Sequence, residues 1–174
     1  MTNTTLRGMT AALALMLGLG AAGAQESTNV VATEGDWTVF AAENPKECWA
    51  VSPPKATQNT DANGNPREVT RGDIRLYVAY RPGQGGEVSF SGGYPFAPDS
   101  TVEVDIGGAK FNLFTEGESA WTGSASEDEK LISALRGGSN AVITGRSSRG
   151  TVTKDTFSLA GITAATNTAR SRCE

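Results

Sequence analysis

Apolar and polar side chains alternate with a period of two along most of this chain, and that alternation confines it to half-buried β-strands. Trp37 and Val39 alternate with Asp36 and Thr38, Val88 and Phe90 with Glu87 and Ser89, and Val102, Val104 and Ile106 with Thr101, Glu103 and Asp105. The longest run sets Ile74, Leu76, Val78 and Tyr80 against Arg75, Tyr77 and Ala79, and further strands are expected at Cys48 to Val51, Ala141 to Gly145 and Val152 to Leu159. Turn residues separate these runs at Arg81-Pro82-Gly83, Gly92-Gly93 and Ala97-Pro98-Asp99, and Gly107-Gly108 reads as a two-residue hairpin turn between Thr101 to Ile106 and Ala109 to Phe114. Short antiparallel strands at this spacing in 174 residues predict an all-β, single-domain fold, either an antiparallel β-sandwich or an open barrel. A membrane-spanning barrel fits poorly, because its strands need roughly ten residues with apolar outward faces.

One short helix interrupts the pattern. Ser126-Glu127-Asp128-Glu129 has the S-x-x-E form of a capping box, its acidic turn suits the positive end of the helix dipole, and Leu131, Ile132 and Leu135 give one apolar stripe before Arg136-Gly137. The spacing predicts a helix over about 127–136 lying across the sheet, with the acidic turn a solvated cap rather than a cation site. The stretch from Ser52 to Gly72 is irregular, nearly devoid of apolar residues and longer than ordinary loops, which makes it a mobile insertion or a binding element. Asp61-Ala62-Asn63-Gly64-Asn65 opens like a calcium loop, but Pro66 stands where glycine is needed and Gly72 where a bidentate glutamate is needed. It is read as a turn, and no metal site is expected.

The beginning of the chain reads as an address. Arg7 is the only charge before Glu26, Met9 to Ala24 is apolar, and Ala22-Gly23-Ala24 has the form of a signal-peptidase site, so residues 1–24 are expected to be a signal peptide and 25–174 one mature domain. The apolar run is shorter than the ~18 to 20 residues of a spanning helix, and no later run is long enough. Loss of Arg7 takes the 15 basic residues to 14 against 19 acidic ones, a net charge of −5, which argues against nucleic acid as a partner. In an oxidising compartment the only two cysteines, Cys48 and Cys173, are expected to pair as a structural disulfide, since they lack the C-x-x-C spacing of redox pairs.

The chain has no histidine. That removes the usual general base, Ser-His-Asp and Cys-His arrangements, and the commonest metal ligand. Glu103 and Asp105 share a strand face and are expected to line the solvent side, while the glycine clusters lack phosphate-loop spacing. The one catalytic alternative is a histidine-free serine hydrolase in which Ser147 or Ser148 is activated by Lys154. The preferred use of Gly145-Arg146-Ser147-Ser148-Arg149-Gly150-Thr151 is a turn whose two arginines hold a carboxylate, within the protein or on a partner.

Seven pieces of the mature chain carry a family resemblance. Gly35-Asp36-Trp37-Thr38-Val39, Cys48-Trp49-Ala50-Val51-Ser52-Pro53, Gly92-Gly93-Tyr94-Pro95, Ala120-Trp121, the segment 145–151, Asp155 to Gly161 and Cys173 stand in the order found in the invasion-associated locus B family, which the chain resembles over nearly its whole mature length. The resemblance implies an exported envelope protein of a Gram-negative bacterium, periplasmic or secreted to the cell surface, with no established enzymatic mechanism and, in some pathogenic members, a link to host-cell colonisation or invasion. On this reading the protein is not an enzyme and needs no cofactor, and its partner is an envelope or host protein or glycan. The candidate contacts are Tyr94, Trp121 or Trp49, Arg146, Ser147, Ser148, Arg149 and Thr151.

Overall fold

The computed structural model describes residues 29–174, so the predicted leader over 1–24 lies outside the described residues. The eight expected runs become strands and three unpredicted ones, β1, β4 and β9, join them in eleven antiparallel strands: β1 (Val30–Glu34), β2 (Trp37–Glu43), β3 (Lys46–Ser52), β4 (Ala56–Thr60), β5 (Arg75–Tyr80), β6 (Glu87–Ser91), β7 (Thr101–Ile106), β8 (Ala109–Glu116), β9 (Ser119–Trp121), β10 (Asn140–Arg146) and β11 (Val152–Ser158). They form one sheet in the order β1-β2-β3-β5-β6-β9-β8-β7-β10-β11-β4. The sheet rolls on itself as an open barrel instead of dividing into two hydrogen-bonded layers. Phe90 on β6 and Phe157 on β11, five places apart in that order, meet edge to face with ring centroids 6.1 Å apart. At the seam the Trp37 indole N–H donates to Ser158 O at 3.1 Å, and Asp36 N–H donates to Ala160 O at 3.0 Å.

The period of two places one face of most strands inside the roll. Trp37, Val39, Val78, Phe90, Val104, Ile143 and Phe157 are fully or almost fully buried there. The β7–β8 hairpin closes on Gly107 and Gly108, both with positive φ, as the two-residue turn requires. Glu103 and Asp105 lie on the outer side, where Glu103 pairs with Lys110 and Asp105 accepts the Gly108 N–H.

Two helices accompany the sheet where the sequence predicted one. The predicted helix is α1 (Ala125–Gly137), but its box begins two residues earlier: Ser124 Oγ accepts Glu127 N–H, and Glu127 Oε2 accepts Gly123 N–H at 2.8 Å. Both serines satisfy S-x-x-E, and Ser124 wins the position. The acidic turn is also not uniformly solvated, because Asp128 is only 8 % exposed and accepts the Val88 N–H of β6 at 2.7 Å. The second helix, α2 (Ile162–Cys173), packs on β2 and β3 through Ile162, Ala165, Thr166 and Ala169. Apart from Ile162 its buried stripe is made of small residues, which a search for large apolar side chains passes over. Cys173 at its end and Cys48 on β3 are joined with their Cα atoms 5.9 Å apart.

The stretch 52–72 holds more order than its composition announced. It contains β4, an edge strand with exposed, polar side chains that pairs with β11 from Thr60↔Val152 to Ala56↔Thr156. Without one buried face such a strand carries no period-two signal. The Asp61 carboxylate then accepts the N–H groups of Asn63 and Asn65, making the expected turn, and Pro66 pairs back on Thr60.

Candidate functional site

Charged side chains inside a rolled sheet need partners, and this one holds a carboxylate at an inward position of β11. Thr153, Asp155 and Phe157 alternate into the interior, and Asp155 is fully buried. Its partner is Arg71, whose side chain is 6 % exposed: Nη1 donates to Oδ1 at 2.8 Å and Nη2 to Oδ2 at 2.6 Å. Arg71 also donates from Nε and Nη2 to Gly92 O, and from Nη1 to Asn59 on β4, so its remaining donors are used as well. The Tyr94 ring lies 5.0 Å from the guanidinium, and its hydroxyl is 2.6 Å from Thr153 Oγ1. Burial pushes the Asp155 carboxyl up, against the opposing pull of Arg71. Burial likewise raises the Tyr94 phenol, with the Thr153 hydrogen bond opposing, so the hydroxyl stays protonated.

Arg71, Tyr94 and Thr153 of this network form the floor of a cleft of about 520 Å³, with Asp155 buried behind them. One wall is the segment Arg67–Arg71 descending from β4; the others are Gly93-Tyr94-Pro95 and the turn from Ser147 to Thr151. Close backbone approach lets the walls meet, since Gly72 N–H donates to Gly93 O at 2.8 Å and a Cβ on Gly93 would lie 2.6 Å from Gly72 O. The 147–151 turn is fixed by its own bonds: Ser147 N–H to Thr151 O, Thr151 N–H to Ser147 Oγ, and Ser148 N–H to Pro95 O.

The cleft gathers five of the sequence candidates, Tyr94, Ser147, Ser148, Arg149 and Thr151, and leaves three elsewhere. Arg146 ends β10 outside it, and Trp121 lies on β9 against Phe114, with ring centroids 5.8 Å apart. Trp49 is on the outward side of β3. Neither arginine of the turn holds a carboxylate among the described residues; Arg149 is exposed at the cleft with its guanidinium unpartnered there. Ser147 is buried, and its hydroxyl is spent on the Thr151 N–H. Lys154 is exposed and alternates with inward Thr153 and Asp155, so it points away from the interior that Ser147 faces, and the Ser-Lys dyad is not assembled. The residues that sequence reasoning missed are Arg71 and Asp155. Asp155 carried a signal, a charge in the same phase as Phe157 and Leu159; Arg71 sits in a stretch with no period and carried none.

A rolled antiparallel sheet closed by a terminal disulfide-linked helix, with a polar cleft braced by a buried ion pair, defines a β-rich scaffold with a recess built from three distant segments. The sequence profile of the invasion associated locus B (IalB) protein family matches residues 37–170, and the chain belongs to that family. The fold is similar to the crystal structure of invasion associated protein B from Bartonella henselae, with a TM-score of 0.55 and 15 % identity over 79 % of this chain and 94 % of that one. No curated protein matches the chain significantly in sequence. The family is not a known enzyme family. No helix among the described residues is long and apolar enough to cross a membrane.

Proposed function

We propose that the protein is exported to the cell envelope, in the periplasm or at the cell surface, and acts there by binding an envelope or host protein or glycan rather than by catalysis. The cleft is the binding site. The observation that carries this reading is the contrast between its floor and its rim. On the floor Arg71, Tyr94 and Thr153 are held together over the buried Asp155, which fixes the shape. At the rim the Arg149 guanidinium and the Ser148 hydroxyl have no partner among the described residues. Glu68 and Glu118 line the same cleft, so a ligand offering both acceptors and donors is matched, as a peptide or glycan does. Arg149 supplies the charge-assisted bond to a partner carboxylate or comparable acceptor. The leader and the cysteine pair support export, and family membership supports an envelope role with host-cell invasion as one setting for it.

A photo-cross-linking residue in place of Ser148 tests the reading in cells. The expected result is a discrete adduct, released with the periplasmic fraction on osmotic shock or accessible to protease from outside. It should disappear when Arg149→Ala is added and be absent when the reactive residue replaces exposed Lys130 on α1. An adduct indifferent to Arg149→Ala, no adduct at all, or labelling by a serine-reactive phosphonate that Ser147→Ala or Ser148→Ala abolishes would overturn it.

A further inference from the structure

A second recess lies beyond the cleft, on the outer side of the sheet. Strand β8 turns polar residues outward at Lys110, Asn112 and Glu116, yet between them Phe114 is 48 % exposed and leans on Trp121 with the rings 31° from parallel. The two rings form one side of a hollow of about 730 Å³ bounded by the Gly85-Gly86 turn before β6 and the first turn of α1. Its ionisable lining is acidic throughout: Glu87, Glu116 and Asp128, with no lysine or arginine. Glu116 is exposed and has no ion pair among the described residues, whereas Glu87 is held by Arg81. Asp128 is more than nine-tenths buried, so its carboxylate is fixed at the base, tied to the Val88 N–H through Oδ1.

Aromatic faces carry negative electrostatic potential, and they attract a lysine or arginine placed over them within about 6 Å. Carboxylates around the same rings add to that attraction and oppose anions. We infer that this hollow is a second binding site, distinct from the cleft at Arg149, and that it takes the lysine or arginine side chain of an extended segment of a basic protein partner. The aliphatic stem of such a side chain lies along Phe114 while its charge is shared between Trp121 and the carboxylates. Charge complementarity selects this occupant over a neutral sugar, which could stack on the rings and donate hydroxyls to the carboxylates but would leave the unpaired negative charge of Glu116 uncompensated.

The test uses the mature protein and a dye-labelled, blocked pentapeptide of alternating glycine and arginine, read by fluorescence anisotropy. Citrulline, uncharged and almost the same shape as arginine, supplies the control peptide. The arginine peptide should bind saturably and weaken with added salt, and the citrulline peptide should bind at least about fivefold less well. Trp121→Leu should abolish the difference between the peptides and Glu116→Gln should reduce it about threefold, with Arg149→Ala leaving it unchanged. If Trp121→Leu fails to fold, Phe114→Ser at the exposed ring serves in its place. Equal binding of both peptides, no binding, or displacement by a neutral oligosaccharide would overturn the inference, while the cleft is tested separately by the cross-linking at Ser148.

Discussion

Replacing Arg71 with alanine should be among the most damaging single changes in the protein. The guanidinium makes two short bonds to a fully buried carboxylate, so its removal leaves Asp155 charged, dehydrated and unpaired inside the roll. Breaking a buried pair in this one-sided way costs about 3–5 kcal/mol. At roughly 2–4 °C of melting temperature per kcal/mol for a domain of this size, the expected loss is roughly 6–20 °C. The loss should depend on pH in a definite direction. Burial already raises Asp155 above its ordinary 3.8, and Arg71 opposes the shift, so without Arg71 the shift grows. A native-state carboxyl with a raised pKa holds its proton where the unfolded chain has released it, so acidification through that window favours the native state. The deficit should therefore shrink as the pH falls from 8 toward 5 and widen as it rises. Thermal melts at both pH values read the effect, and Arg71→Met with Asp155→Val should recover most of it, because the charge goes with its partner. A loss under about 1 kcal/mol with the wild-type pH dependence would refute the picture of a dehydrated clamp.

Other expectations are simpler to state. Changing both Cys48 and Cys173 to serine should cost roughly 4–5 kcal/mol by the chain-entropy account of so long a loop, measured by denaturant unfolding. Gly161→Ala should destabilise by about 2 kcal/mol or more, because φ is +94° and the added Cβ would lie 1.9 Å from Glu34 O; a melt within 2 °C of wild type would contradict it. Asp128→Ala should cost about 1–3 kcal/mol by orphaning the Val88 N–H, read as faster hydrogen exchange along β6. Arg149→Ala, by contrast, should leave the melting temperature within about 1 °C while weakening partner capture.

Most strands were legible because they have one wet face and one dry one, and the Val102 to Ile106 hairpin with its glycine turn is the clearest case. What escaped did so for physical reasons. Strand β4 is wet on both faces, so nothing in Ala56-Thr57-Gln58-Asn59-Thr60 marks it as a strand until β11 is there to pair with it. Helix α2 buries alanines and a threonine, whose helical spacing is real but faint. The cleft was half visible: the 147–151 turn and Tyr94 stood out, whereas Arg71 is defined only by the carboxylate it reaches, 84 residues away. Tyr94, expected to touch a partner, turns out to brace the floor as well, so its substitution should lower stability along with binding.

The pairing of β4 with β11 also bears on how the chain reaches its native state. Those partners are separated by 92 to 100 residues, so the contact closes a long loop and is entropically costly to form early. Pairings of that range slow folding. Until β4 arrives, β11 presents an open edge, and the wall that descends from β4 through Arg67 to Arg71 has nowhere to dock. The cleft thus comes into being with one of the most distant contacts in the sheet, and capacity to bind reports on completed folding: a partially folded chain is recognised as such by having no site.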